Sequence, residues 1–236
     1  FYGPGAFNGV VDMHTKNPFR YEGLSASVKV GERALTETAV RYAEAFKLGD
    51  SKMDNLAFKL NLYYLRANDW EADNLDPVDG SPVGRDNPGR YDAVNRYGDE
   101  SLETNNEKAS FEDVRDNRAG LGDFYRPGFM ERDLVDYDTR NLKSNFGLYY
   151  RFPDSVQLSY NVNYGTGTTV FQGENRFSLR NIQFVQNTLE VSKGDKFFVR
   201  AYATHENAGD SYDAVLTAFE MNDAMLGDEK TWNTNY

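Results

Sequence analysis

Apolar and polar residues alternate along much of this chain, and the alternation predicts strands. Leu24, Ala26, Val28 and Val30 share one parity; Ser25, Ser27, Lys29 and Gly31 share the other. In an extended chain, parity means opposite faces. A short connection from Gly31 to Thr36 leads to Val40, Tyr42, Phe46 and Leu48, with Arg41 and Lys47 opposite and Glu44 breaking the apolar face. After a polar turn from Gly49 to Asn55, Leu56, Phe58, Leu60, Leu62 and Tyr64 alternate with Ala57, Lys59, Asn61, Tyr63 and Leu65.

The pattern is lost between Arg66 and Asp138, where Pro, Gly, Asp, Glu and Asn dominate. Connections longer than about 15 residues are usually functional or mobile, so this one is expected to hold short hairpins or helices. Order returns with Leu142, Phe146, Leu148, Tyr150 and Phe152, set against Lys143, Asn145, Tyr149 and Arg151. Pro153-Asp154-Ser155 is a tight turn. Val156, Leu158, Tyr160, Val162 and Tyr164 then oppose Gln157, Ser159, Asn161 and Asn163. Gly165 to Gly173 reads as a small loop. Arg176 to Val191 reads as a long strand with a bulge near Asn181-Ile182. A turn at Ser192 to Asp195 leads to a seventh strand, Lys196 to Thr204, and from His205 the chain turns polar.

The seven strands make the chain all-β. Short turns follow the second, fourth and sixth strands, and longer connections follow the others. That asymmetry is the habit of antiparallel barrels in outer membranes. A soluble β-sandwich satisfies the same alternation, with its apolar faces meeting in a core.

Composition narrows the options. The 236 residues carry a net charge of -11, which argues against a nucleic-acid partner. No apolar run is long enough for a transmembrane helix, but a transmembrane strand needs only about 10 residues. The absence of cysteine excludes disulfides and thiolate metal sites. Sixteen Tyr and sixteen Phe in a chain of mean hydropathy -0.71 fit an alternating wall with aromatic rims, or a carbohydrate-binding sandwich.

The opening stretch adds a second kind of signal. Tyr2-Gly3-Pro4-Gly5-Ala6-Phe7-Asn8-Gly9-Val10-Val11 is a Gly/Pro turn running into a short strand, and Pro18 ends that strand beyond Lys16. This stretch resembles the end of the plug domain in TonB-dependent outer-membrane receptors. Arg41 to Phe46, Phe58-Lys59-Leu60-Asn61, Tyr64-Leu65-Arg66, Asp69-Trp70, Phe197 to Tyr202 and Glu206 to Tyr212 resemble barrel strands of the same family, nearest its large-loop importers of oligosaccharides or peptides.

The resemblance implies an antiparallel transmembrane β-barrel segment, about 7 strands of a barrel of about 22, preceded by the end of a plug. Residues 1–19 would close the plug. Residues 20–236 would begin the barrel, with long extracellular loops at 66–138 and 205–236. The implied function is import of a ligand bound outside the cell, driven by a TonB energy complex acting through a segment before Phe1. The implied surroundings are outer-membrane lipid and, in some members, a surface lid lipoprotein. The chain starts inside a Gly-Pro turn with no signal-peptide pattern, so it is expected to be an internal piece of a longer protein.

Catalysis finds little support. The two histidines, His14 and His205, lie far apart in sequence, and no nucleophile, metalloprotease or phosphate-loop motif is present. Asp133 and Asp136 are the kind of pair any acidic loop offers. The loop aromatics Trp70, Tyr91, Tyr97, Phe124, Tyr125 and Tyr137 suit stacking on a sugar or gripping a peptide, and equally suit a small core of the loop itself. No cofactor is expected beyond a structural calcium ion at Asp73, Asp76 and Asp79, where oxygen ligands crowd a turn-rich loop. The reading from a different class is a soluble or surface-attached β-rich carbohydrate-binding module. A passive porin is a third, disfavoured by the plug-like opening.

Overall fold

A computed structural model describes residues 15–100 and 125–227. Its elements are β1 (Gly23–Val30), β2 (Thr36–Phe46), β3 (Leu56–Asn68), β4 (Arg96–Tyr97), β5 (Phe129–Met130), α1 (Glu131–Leu134), β6 (Asp138–Arg151), β7 (Gln157–Gln172), β8 (Arg176–Lys193), β9 (Phe197–Asn207), β10 (Tyr212–Asp213) and α2 (Ala214–Leu226). The seven alternating segments all form strands of one antiparallel sheet, ordered β1-β2-β3-β6-β7-β8, with β9 and β10 both paired to β8. The sheet is open. Among the described residues, β1 pairs with β2 alone and β9 with β8 alone. No described helix is long and apolar enough to cross a membrane.

Several boundaries differ from the sequence reading. β2 starts at Thr36, because Thr36 to Ala39 pair with Tyr63 to Arg66 despite their weak apolar contrast. Residues 165–173 are not a loop: β7 runs to Gln172 and only residues 173–175 turn. Cross-strand pairing with β8 overrides the glycines and threonines there. The expected bulge is present, where Arg180 and Asn181 of β8 face the single Thr168 of β7. Asn181 has φ 53°, and its backbone N–H donates to Thr168 Oγ1. The expected polar loop from His205 instead holds the end of β9, then β10, then α2. Residues 1–14, with the plug-like turn and His14, lie outside the described residues.

Register brings the faces together. One row runs Leu24, Tyr42, Leu60, Phe146, Val162; a neighbouring row runs Glu44, Phe58, Leu148, Tyr160, Leu189. These rows form the exposed face. In the central strand β3, Leu62 is 44% exposed while Lys59, on the opposite face, is 2% exposed. A water-soluble sheet does the reverse. The apolar band is bounded. Along β3 it covers nine residues, Leu56 to Tyr64, and beyond Tyr64 the same face carries Arg66, with Asp138 and Arg140 on β6. Asp138 accepts from both arginines.

The apolar core lies elsewhere. Tyr97, Leu134, Ala214 and Ala218 are buried together, with Phe129, Val135 and Val215 against them, at the end of the sheet where β10 pairs with the start of β8. This cap joins the 66–138 connection to α2. Asp213 caps α2 by accepting from the Val215 and Leu216 amides, and Gly227 ends it at φ 79°. Ala214, Ala218 and Asn222 are spaced four apart and form the buried stripe of α2. Gly98 meets that stripe: a Cβ there would sit 2.8 Å from Ala218 O, and φ is +85°.

Candidate functional site

The polar face of the sheet is a continuous hydrogen-bonded surface. Asn61 Nδ2 donates to Asn145 Oδ1 at 2.8 Å, Asn145 Nδ2 to Asn163 Oδ1 at 2.7 Å, and Asn163 Nδ2 to Gln186 Oε1 at 3.4 Å. The register makes these four amides direct neighbours on β3, β6, β7 and β8. One row nearer the β6–β7 turn, Gly147 stands between Lys59 and Asn161. The Tyr149 ring lies across the space that a side chain at Gly147 would fill, and its hydroxyl donates to Asn161 Oδ1 at 2.6 Å. Lys59 Nζ sits 5.3 Å from the centre of that ring.

The chain before β1 is laid on this face. Lys59 Nζ donates to Thr15 Oγ1 at 2.6 Å, and the Arg151 guanidinium stacks 3.8 Å from the Phe19 ring centre. Pro18 is buried. A groove of about 550 Å³ opens beside Thr15 and Asn17, over Tyr149, Ser159 and Asn161. A second, of about 790 Å³, lies nearer the cap and is lined in part by Tyr63, Lys143, Asn163, Phe184 and Glu206. Together they offer amide, hydroxyl, cationic and carboxylate groups beside a few aromatic ones. Such a surface suits a hydroxyl-rich or peptide-like occupant.

The cap is organised by Glu131, which is fully buried. Its carboxylate accepts from Tyr97 OH, from Tyr137 OH at 2.7 Å and from Arg176 Nε at 3.0 Å. Burial raises both phenols, Tyr137 to about 12. α2 is tied in through Asn222, which donates to Gly98 O, and through Asp223, which pairs with the buried Arg126. Tyr212 OH donates to Leu134 O.

The aromatics singled out in the sequence separate into two groups. Tyr97 and Tyr125 are buried, and Tyr137 is held by Glu131. Tyr91 donates to Leu75 O and lies under the Arg96 guanidinium. Trp70 is 69% exposed, with Arg33 5.1 Å from its ring centre. Phe124 lies outside the described residues. Asp73, Asp76 and Asp79 are all exposed and do not gather into a shared site; Asp76 pairs with Arg85. His205 stands on edge strand β9 opposite Val185.

The structure gathers a different acidic group. Asp92, Asp99 and Glu100 each place a carboxylate oxygen within 4.8 Å of the others. Burial pushes Asp92 up to about 6 and both Asp99 and Glu100 up to about 7, although Arg96 opposes the shift at both aspartates. Sequence reasoning missed this group because Asp92 and Asp99 meet only through the turn around β4. The Asn61–Gln186 ladder was missed as a ladder, since it depends on register across four strands.

No family model, curated protein or solved structure matches the chain.

Proposed function

We propose that this chain is part of a plugged β-barrel receptor of the bacterial outer membrane, a TonB-dependent type, that binds a ligand outside the cell and imports it. The observation that carries this reading is the inversion of the sheet. A bounded band of Leu, Phe, Val and Tyr is exposed, while Lys59, Asn61, Asn145 and Asn161 lie on the face covered by Thr15 to Phe19. In water a monomer rarely exposes a contiguous apolar band that runs across several strands. In lipid it is the expected outer wall, and nine residues of β3 match the 9–11 that a tilted strand uses to cross the hydrocarbon. The charged Arg66, Asp138 and Arg140 then mark the polar boundary.

Further strands would extend the sheet from its free edges toward a barrel of about 22 strands. Residues 1–19 would end the plug, which would rest on the amide ladder. The cap would form the outer surface, and ligand would enter between it and the plug. Coupling to an inner-membrane energy complex, and any lid lipoprotein, belong to this reading through the resemblance of the opening stretch. A carbohydrate-binding module in water is less well supported, because no second described sheet or helix layer covers the apolar band.

Fractionation of the native host tests the reading. The protein should appear in the outer-membrane fraction, require detergent for extraction and change gel mobility on heating. A monodisperse, detergent-free protein would sink it. Growth of a deletion strain on single nutrients would then identify the cargo.

A further inference from the structure

We propose that Asp92, Asp99 and Glu100 bind one divalent cation of the hard, oxygen-preferring class, calcium foremost. The spacing permits it. Two ligands on opposite sides of a calcium ion, each about 2.4 Å away, are about 4.8 Å apart, the limit within which these three carboxylate oxygens fall. The donor set is carboxylate alone, which selects calcium, magnesium or manganese over metals that favour imidazole or thiolate. The loop setting and the number of carboxylates favour calcium, whose coordination tolerates irregular geometry, over magnesium.

An independent observation points to a missing partner. Asp99 is wholly buried. Its Oδ2 accepts from Arg96 Nε at 2.7 Å and from the Ala93 amide at 3.3 Å, but its Oδ1 has no hydrogen-bond partner. Buried carboxylate oxygens are almost always satisfied, so this unpaired acceptor on a residue of the carboxylate cluster calls for a positive partner. Charge agrees. Among the described residues, three carboxylates face one guanidinium, and that guanidinium also donates to Tyr91 O. A divalent ion would supply the positive charge that lets all three carboxylates ionise together. The ion would tie the chain entering the Pro77–Ala93 bridge to the turn after β4, whose Gly98 rests on α2. This assignment stands apart from the membrane reading and does not use Asp73, Asp76 or Asp79.

The test uses the whole chain, stripped with chelator, in detergent or buffer as solubility requires. Terbium is titrated with excitation of tyrosine, then displaced by calcium, and calcium chloride alone is titrated in a calorimeter. One calcium per chain is expected, with terbium emission sensitised by Tyr91 and Tyr97 and lost on displacement. Glu100→Gln leaves the Arg96–Asp99 pair in place and should weaken binding at least about tenfold, as should Asp99→Asn if it folds. Asp73→Asn with Asp76→Asn should change affinity less than about twofold. Native protein that binds no calcium overturns the proposal. So does unchanged affinity in Glu100→Gln, or a loss produced equally by the Asp73 and Asp76 pair.

Discussion

Lys59 donates to Thr15 Oγ1 across 2.6 Å, so a strand in the middle of the sheet holds the segment that precedes the first strand. The ammonium is buried and Thr15 is exposed, so water can replace part of the bond. Thr15→Ala should therefore cost about 1 kcal/mol, below the usual value for a charged hydrogen bond. Hydrogen exchange should quicken in residues 15–20 and stay unchanged in β3.

The two faces of the sheet should respond oppositely to a charge. Leu62 lies within the apolar band, and Thr188 lines the groove on the polar face. Leu62→Arg should destabilise folding into lipid vesicles by about 2–4 kcal/mol, the cost of arginine near a bilayer midplane. Thr188→Arg should cost far less. Denaturant titration in vesicles measures both, and equal effects would count against a lipid-facing wall.

Gly147 should not tolerate a side chain. A Cβ there would lie 2.6 Å from Asn161 Oδ1 and 2.8 Å from the Tyr149 ring. Gly147→Val should displace Tyr149 from Lys59 and Asn161, at about 1–3 kcal/mol. The combination Gly147→Val with Tyr149→Ala should recover part of the loss, because it vacates the contested space. A melting series of the two variants decides this.

Glu131→Ala should loosen the cap without dissolving the sheet. It removes the acceptor of two phenols and leaves Arg176 unpaired in a largely buried place, a change worth about 3–5 kcal/mol. Limited proteolysis should cut within 69–100 and 125–137 well before it cuts β6 or β7. Glu131→Gln keeps one of the two acceptor oxygens and should be milder.

The sheet was legible in the sequence because its signal is local. Leu56 to Leu65 and Leu158 to Tyr164 state their faces residue by residue. The side each face turns to was not legible, since alternation is the same for a core and for a lipid wall. The cap was hidden for a different reason. Glu131 draws Tyr97, Tyr137 and Arg176 from three separate stretches, and Asp99 meets Asp92 through a turn around a two-residue strand. α2 did leave a trace, with Asp213 before a run of helix formers and Gly227 after it. The surrounding polar residues obscured it.

The unpartnered borders of β1 and β9 bear on how such a chain must be made. Each presents a file of backbone donors and acceptors with nothing across from it among the described residues. Left alone in solution, these borders invite stacking against other copies, and the oily surface beside them makes that stacking sticky. A cell producing this polypeptide would need to keep both borders covered to hold it dispersed. Isolated production of these residues should accordingly give inclusion bodies that become tractable only in detergent.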